Sequence, residues 1–304
     1  MAIVVAMVAP TAVATVIEPF ELQWMGSAAE HHFRKVRPAI EELPWGSLDP
    51  TQFDPGAVLR ARIAWTEVAV NEYRAAAAFT EVLRALIDAK APLDLIGMTS
   101  DFLADECSHV EMASRLAMEL GGGVKRLVDL DRFAVRPRGL TPLQRANELV
   151  LRVSCVAEAF SGGTAAISHR TTTQPLPSSV YEAILRDEAF HRRLGGLYFE
   201  WALPRIDDAE RLRLCRVLFD SLRELAAFWR VAEPGASVSE AVDPQKAEPE
   251  APSPWIADLE ALGWLEAHAF EAVARDVVAR EILDALATIG IEIAPEERES
   301  ILGT

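Results

Sequence analysis

The sequence predicts an all-α protein: an antiparallel four-helix bundle with one additional helix and a C-terminal helical appendage. Three observations carry that prediction. Long stretches repeat apolar residues every three or four positions, the period of a helix buried on one face. Proline-containing polar words divide those stretches into two hairpins. One short word, Asp-Glu-x-x-His, occurs twice, at Asp105–His109 and Asp187–His191.

Residues 1–56 read as an N-terminal arm and lead-in. Residues 2–17 are almost wholly apolar and uncharged. They lack the Lys or Arg that a secretory signal places ahead of its apolar run, and Pro10 breaks a stretch already too short to span a bilayer. An extended arm packed on the body or on another subunit is expected, with no membrane partner. His31 and His32 are assigned no chemistry. The main body, residues 57–231, opens with helices over roughly 57–88 and 92–121, turning near Lys90-Ala91-Pro92. A second hairpin covers roughly 141–169 and 178–200, turning through Thr171-Thr172-Thr173-Gln174-Pro175. A fifth helix over 203–231 carries an apolar face of Leu212, Leu214, Val217, Leu218, Leu222, Leu225 and Trp229. Residues 232–254 hold five prolines among Ala, Glu and Ser, the composition of a linker. The appendage, 255–304, is expected to contain an amphipathic helix over 255–290, stopping at Gly290.

On a helix, residues i, i+3 and i+4 share a face, so each repeated word points a carboxylate and an imidazole the same way. Helix one supplies an apolar stripe of Trp65, Val68, Ala75, Phe79, Val82 and Leu86 interrupted by a single acid, Glu72. Its competitor, Glu67, falls with Asn71, Arg74 and Ala78 on what reads as a solvated face. Glu67 also lies five residues further from the turn, about 7.5 Å by helical rise. Helix two lines up Leu95, Thr99, Phe102, Glu106, His109, Ala113 and Leu116. Helix three lines up Leu151, Cys155, Glu158, Gly162 and Ala165. Glu158 and Glu188 each lie about 15 residues from the second turn, hence at one height. Four acids and two of the chain's six His then converge in an apolar core, where an unpaired carboxylate must be neutralised, paired or bound to metal. A repeated Glu-x-x-His with a Glu on each of two further helices is a di-iron or di-manganese ligand set; the alternative is a polar layer without metal.

These residues resemble the ferritin-like di-iron carboxylate superfamily, which includes ferritins, rubrerythrins and oxygen-activating monooxygenase subunits, over roughly 57–200. The resemblance implies one metal held by Glu72, Glu106 and His109 and a second by Glu158, Glu188 and His191, with Glu106 and Glu188 bridging. It also implies that Asp105 and Asp187 each accept a hydrogen bond from the non-ligating nitrogen of the His in their own word. Carboxylates and imidazoles without thiolate suit iron or manganese; two iron ions are expected, a manganese–iron pair being the variant.

No subfamily is matched at its distinguishing residue. Ala113 stands where radical-forming reductase subunits carry Tyr, Gly162 where multicomponent monooxygenases carry Thr, and Ile184 where arylamine N-oxygenases carry His. Cys107, Cys155 and Cys215 form no Cys-x-x-Cys, unlike the rubredoxin module of rubrerythrins. Ala75 to Ala78 and Gly162-Gly163 leave two readings open, a cavity for dioxygen and substrate or close helix packing. Arg186, Arg192 and Arg193 beside the last ligands read as surface salt-bridging residues or a carboxylate-binding group. The net charge of −16 argues against nucleic-acid binding. Three Cys without framework spacing fit a reducing cytoplasm. The function expected is an oxidase or oxygenase acting with dioxygen on a small organic substrate, fed by an external electron donor, with a homodimer as a possible assembly. The alternative is a ferroxidase or iron-handling protein without an organic substrate.

Overall fold

The computed structural model describes residues 17–226, 228–230 and 254–303. The arm expected over 2–17 therefore lies outside the described residues except for Ile17, and the linker expected over 232–254 except for Pro254. The chain is all-α, about 75% helical. Among the described residues the only strands are two-residue pieces, β1 (Glu18–Pro19) and β2 (Leu127–Val128), paired antiparallel.

Two short helices lead in, α1 (Ser27–Val36) and α2 (Pro38–Glu41); His31 and His32 lie on α1. The first long hairpin is α3 (Pro55–Asp88) and α4 (Leu93–Glu119). Asp54 caps α3 by accepting from the Gly56 and Ala57 amides, and Pro55 takes the first helical position, where its missing N–H costs nothing. Helix α4 ends at Gly121 and Gly122, whose φ of +106° and +103° L side chains rarely adopt. The second hairpin begins at a capping box of Thr141 and Gln144. Helix α5 (Pro142–Val150) runs through a π-helical stretch, Leu151–Glu158, into α6 (Ala159–Thr171); α7 (Pro175–Ala202) returns.

The four long helices close on a core of Phe79, Val82, Leu86, Phe102, Leu149, Phe160, Leu194 and Tyr198, all buried. The continuous helix Pro142–Thr171 is long and apolar enough to cross a membrane by composition, but 78% of its most apolar window is buried inside the protein. A helix apolar all round belongs in a core. Helix α8 (Asp208–Ala226) packs beside it. A buried network joins the two: Tyr198 donates to Asn147 Oδ1 at 2.7 Å, and Asn147 donates to Glu210 at 2.9 Å.

The appendage departs from the sequence reading. One helix was expected over 255–290. Instead α9 (Pro254–Ala261) stops at Gly263, where φ is +104°, and a new helix starts under a Glu266 cap as α10 (Ala267–Val277). That helix continues through a π-helical stretch, Val278–Asp284, into α11 (Ala285–Ala287). A last helix, α12 (Pro295–Leu302), was not anticipated. The break is set by tertiary contacts: Trp65 Nε1 donates to the Leu262 carbonyl (3.1 Å) and the Tyr181 hydroxyl to the Gly263 carbonyl (2.7 Å). Two further expectations fail. Leu212, placed on the apolar face of the fifth helix, is 55% exposed. The supposedly solvated face of α3 is covered: Asn71 and Ala78 are buried, and Arg74 sits over the Phe133 ring at 5.0 Å. A loop returning from α4 supplies that cover, which helical periodicity alone does not register.

Candidate metal centre

The structure brings Glu72 (α3), Glu106 and His109 (α4), Glu158 (end of the π-helical stretch) and Glu188 and His191 (α7) to the middle of the long helices, all buried to 1% exposure or less. They form two overlapping groups. Glu72, Glu106, His109 and Glu188 offer donor atoms within 4.8 Å of one another, and so do Glu106, Glu158, Glu188 and His191. Glu106 and Glu188 belong to both. Glu67 is outside, half-buried and ion-paired with Arg126.

Each imidazole turns Nδ1 inward. His109 Nδ1 lies 3.6, 3.8 and 3.7 Å from Glu72, Glu106 and Glu188. His191 Nδ1 lies 3.1 Å from Glu106 and 3.6 Å from both Glu158 and Glu188. The outward nitrogens are held by aspartates, but not by the expected ones. His109 Nε2 meets Asp187 Oδ2 at 3.2 Å, and His191 Nε2 meets Asp105 Oδ2 at 3.3 Å. The pairing is crossed. A ring whose Nδ1 faces the core from its own helix aims Nε2 across to the neighbouring helix, beyond reach of an Asp one turn back on its own. The repeated word was the signal that could have shown this, because two like helices packed together exchange equivalent groups. Phe102 and Phe79 wall in His191, with ring centroids 4.1 and 5.4 Å away.

With the Nε2 atoms bonded to carboxylates, Nε2 keeps a proton, so it is Nδ1, facing the acids, that exchanges a proton for a metal ion. Nine atoms of this centre are buried without any hydrogen-bond partner: Glu72 Oε2, both oxygens of Glu106, Glu158 and Glu188, and the two Nδ1 atoms. Orphaned donors and acceptors of this number are costly, and all of them are oxygen or imidazole nitrogen, the donor set of iron or manganese. The residues therefore fit a pair of metal ions.

The protonation pattern agrees. Burial, then the neighbouring Glu72 carboxylate, pushes Glu106 up to about 7. Burial and the Glu158 carboxylate push Glu188 up to about 8. Burial also raises Glu158. It would raise Glu72 too, but the facing His109 ring outweighs it and holds Glu72 below its ordinary value. For the imidazoles burial acts downward and is overcome, first by Asp187 at His109 and first by Asp105 at His191, so both rise. Without a cation, the cluster holds extra protons.

The small residues around the ligands pack closely. A Cβ on Gly162 would meet Arg192 Cδ at 2.8 Å, and one on Gly163 would meet Val277 Cγ1 at 2.7 Å. Arg192 is itself ion-paired to Glu281 of the appendage. Beside them lies a cavity of about 490 Å³, lined by the Pro142–Thr171 helix, α7 and the appendage. Cys155 lines it, its thiol pushed up to about 12 by burial; Cys107 is exposed. Comparison with protein-family models, curated proteins and solved structures returned no match.

Proposed function

We propose that the protein is a ferritin-like di-iron protein that uses dioxygen to oxidise a small organic molecule. The observation that carries this is the pair of four-residue groups sharing Glu106 and Glu188, with their inward-facing atoms unpartnered. A ligand set of four carboxylates and two imidazoles, two of the carboxylates common to both positions, is the arrangement of a di-metal carboxylate bundle. Glu72 and His109 would complete one position, Glu158 and His191 the other; a manganese–iron pair is the variant.

Bound iron would supply the electrons and Lewis acidity with which dioxygen is reduced. The chain's own residues do the rest. Asp105 and Asp187 fix the imidazole tautomers and orientation from the opposite helix. Glu106 and Glu188 can each face either position without moving the helices. Phe79, Phe102 and the surrounding aliphatic side chains exclude water from the centre. Electrons would come from a separate donor protein or a chemical reductant.

The test is anaerobic loading with ferrous iron followed by exposure to oxygen. Loading should saturate near two irons per chain. Glu106→Ala and His191→Ala should each lose most of the metal, while Glu67→Ala keeps it. Oxygen uptake should stop once the bound pair is oxidised. Full retention of metal by both ligand variants overturns the assignment, and oxidation of tens of equivalents into a soluble mineral moves it to iron storage.

A further inference from the structure

We infer that the cavity beside the centre is the substrate site, and that it takes a small organic carboxylate with an apolar body and a hydrogen-bonding group at its far end. This rests on the proposed function for its meaning as a substrate site, but not for its geometry. The cavity runs along α7 from Ala189 to Phe199, about 15 Å at 1.5 Å per residue. Its floor reaches the faces that carry the candidate ligands: Ser154 and Cys155 lie one turn before Glu158, and Gly195 one turn after His191. A larger groove, about 1180 Å³, lies outside α3 and α4. It is lined by residues of α3 and α4, among them Ala69 and Ala76, one turn either side of Glu72, and its buried charged side chain is an acid, Glu111, which pairs through Oε1 with Arg34 at 2.9 Å and offers no fork for a carboxylate.

Three features set the chemistry. At the floor, Ser154 has no solvent exposure, and its Oγ has no hydrogen-bond partner. A buried hydroxyl left unpaired is costly, and a ligand group would satisfy it. At the rim stands Arg193, exposed and without an ion pair among the described residues, whereas its neighbour Arg192 is held by Glu281. A guanidinium fork recognises a carboxylate. Between floor and rim the wall is Ala159, Ala189, Phe199, Leu286 and Ile289, which accepts an apolar chain. The appendage supplies Leu286 and Ile289, so it closes one side of the site.

The experiment measures binding by titration calorimetry to metal-free protein, where no iron can capture the acid. The probes are octanoate, 8-hydroxyoctanoate and 1,8-octanediol. Both acids should bind, and the diol about tenfold more weakly or not at all. 8-Hydroxyoctanoate should bind about three- to tenfold more tightly than octanoate, and Ser154→Ala should erase that difference. Arg193→Gln should weaken both acids about tenfold. Gly196→Leu projects into open space, since nothing lies within 4 Å of a Cβ there; it should fill the cavity and abolish binding while leaving thermal stability intact. Failure of wild type to bind either acid overturns the inference, as does undiminished binding in both Arg193→Gln and Gly196→Leu. Iron content of the same preparations is measured separately. Loss of metal binding with acid binding retained sinks the proposed function alone.

Discussion

At the scale of single residues, the centre is governed by protons competing with metal. Glu106 and Glu188 titrate near 7 and 8 in the metal-free protein, and the two imidazoles titrate above their ordinary value. All these shifts are upward, so metal entry expels protons. Lowering the pH from about 8 to about 6 should weaken metal binding progressively, with proton release that calorimetry in two buffers would count. Groups whose folded pKa is raised stabilise the folded state below their unfolded value and lose that contribution as pH rises through the folded one. The metal-free protein should therefore melt at lower temperature at pH 8 than at pH 6, and metal should flatten the trend. A metal-free melting temperature that climbs over this range would contradict the protonation pattern. The crossed aspartates give a second test. Asp187→Asn should reduce metal affinity by about 10- to 100-fold. Combined with His109→Ala it should add little, whereas Asp105→Asn combined with His109→Ala should add its full effect. The opposite pattern would restore each Asp to the His of its own word.

At the scale of the element, the helices need close approach at particular glycines. A Cβ at Gly195 would stand 2.4 Å from Cys155 Sγ, and one at Gly163 would press on both Val277 methyls and Glu281. Gly195→Ala should cost about 1–3 kcal/mol of stability, read as a lower denaturation midpoint. Cys155→Ala should return most of it, because the obstruction is that one sulfur. The long helices, their turns and the six inward residues are legible in the sequence because period and turn chemistry are local. Glu72 could be told from Glu67 because one interrupts an apolar stripe and the other does not. What was illegible depends on distant partners. The loop covering Asn71 and Arg74, the break at Gly263 and the exchange between Asp105 and Asp187 each arise from contacts across the fold. The π-helical stretch Leu151–Glu158 was also missed. It alters the regular period assumed for helix three and leaves Ser154, rather than Cys155, as the fully buried member.

At the scale of the molecule, the appendage is built into the body. Gly263 is wedged beneath two aromatic rings; a Cβ there would meet Tyr181 at 2.9 Å and Trp65 at 3.2 Å, on a backbone with φ of +104°. Gly263→Ala should therefore lower the melting temperature by several degrees. It should leave metal stoichiometry at two per chain, since neither ring touches the centre; loss of metal in that variant would tie α9 to the site more directly than its contacts do. The crossed aspartates carry a separate consequence for how such a chain comes to exist. Each hairpin brings one lone Glu and one Asp-Glu-x-x-His word, and lends its Asp to the other's imidazole. That reciprocity is the mark of an isologous contact between identical halves. Two copies of a single hairpin, meeting on a two-fold axis, would close the same centre with every ligand and both orienting bonds in place. In this chain the symmetry is broken by the π-helical stretch, present in the helix that bears Glu158 but not in the one that bears Glu72.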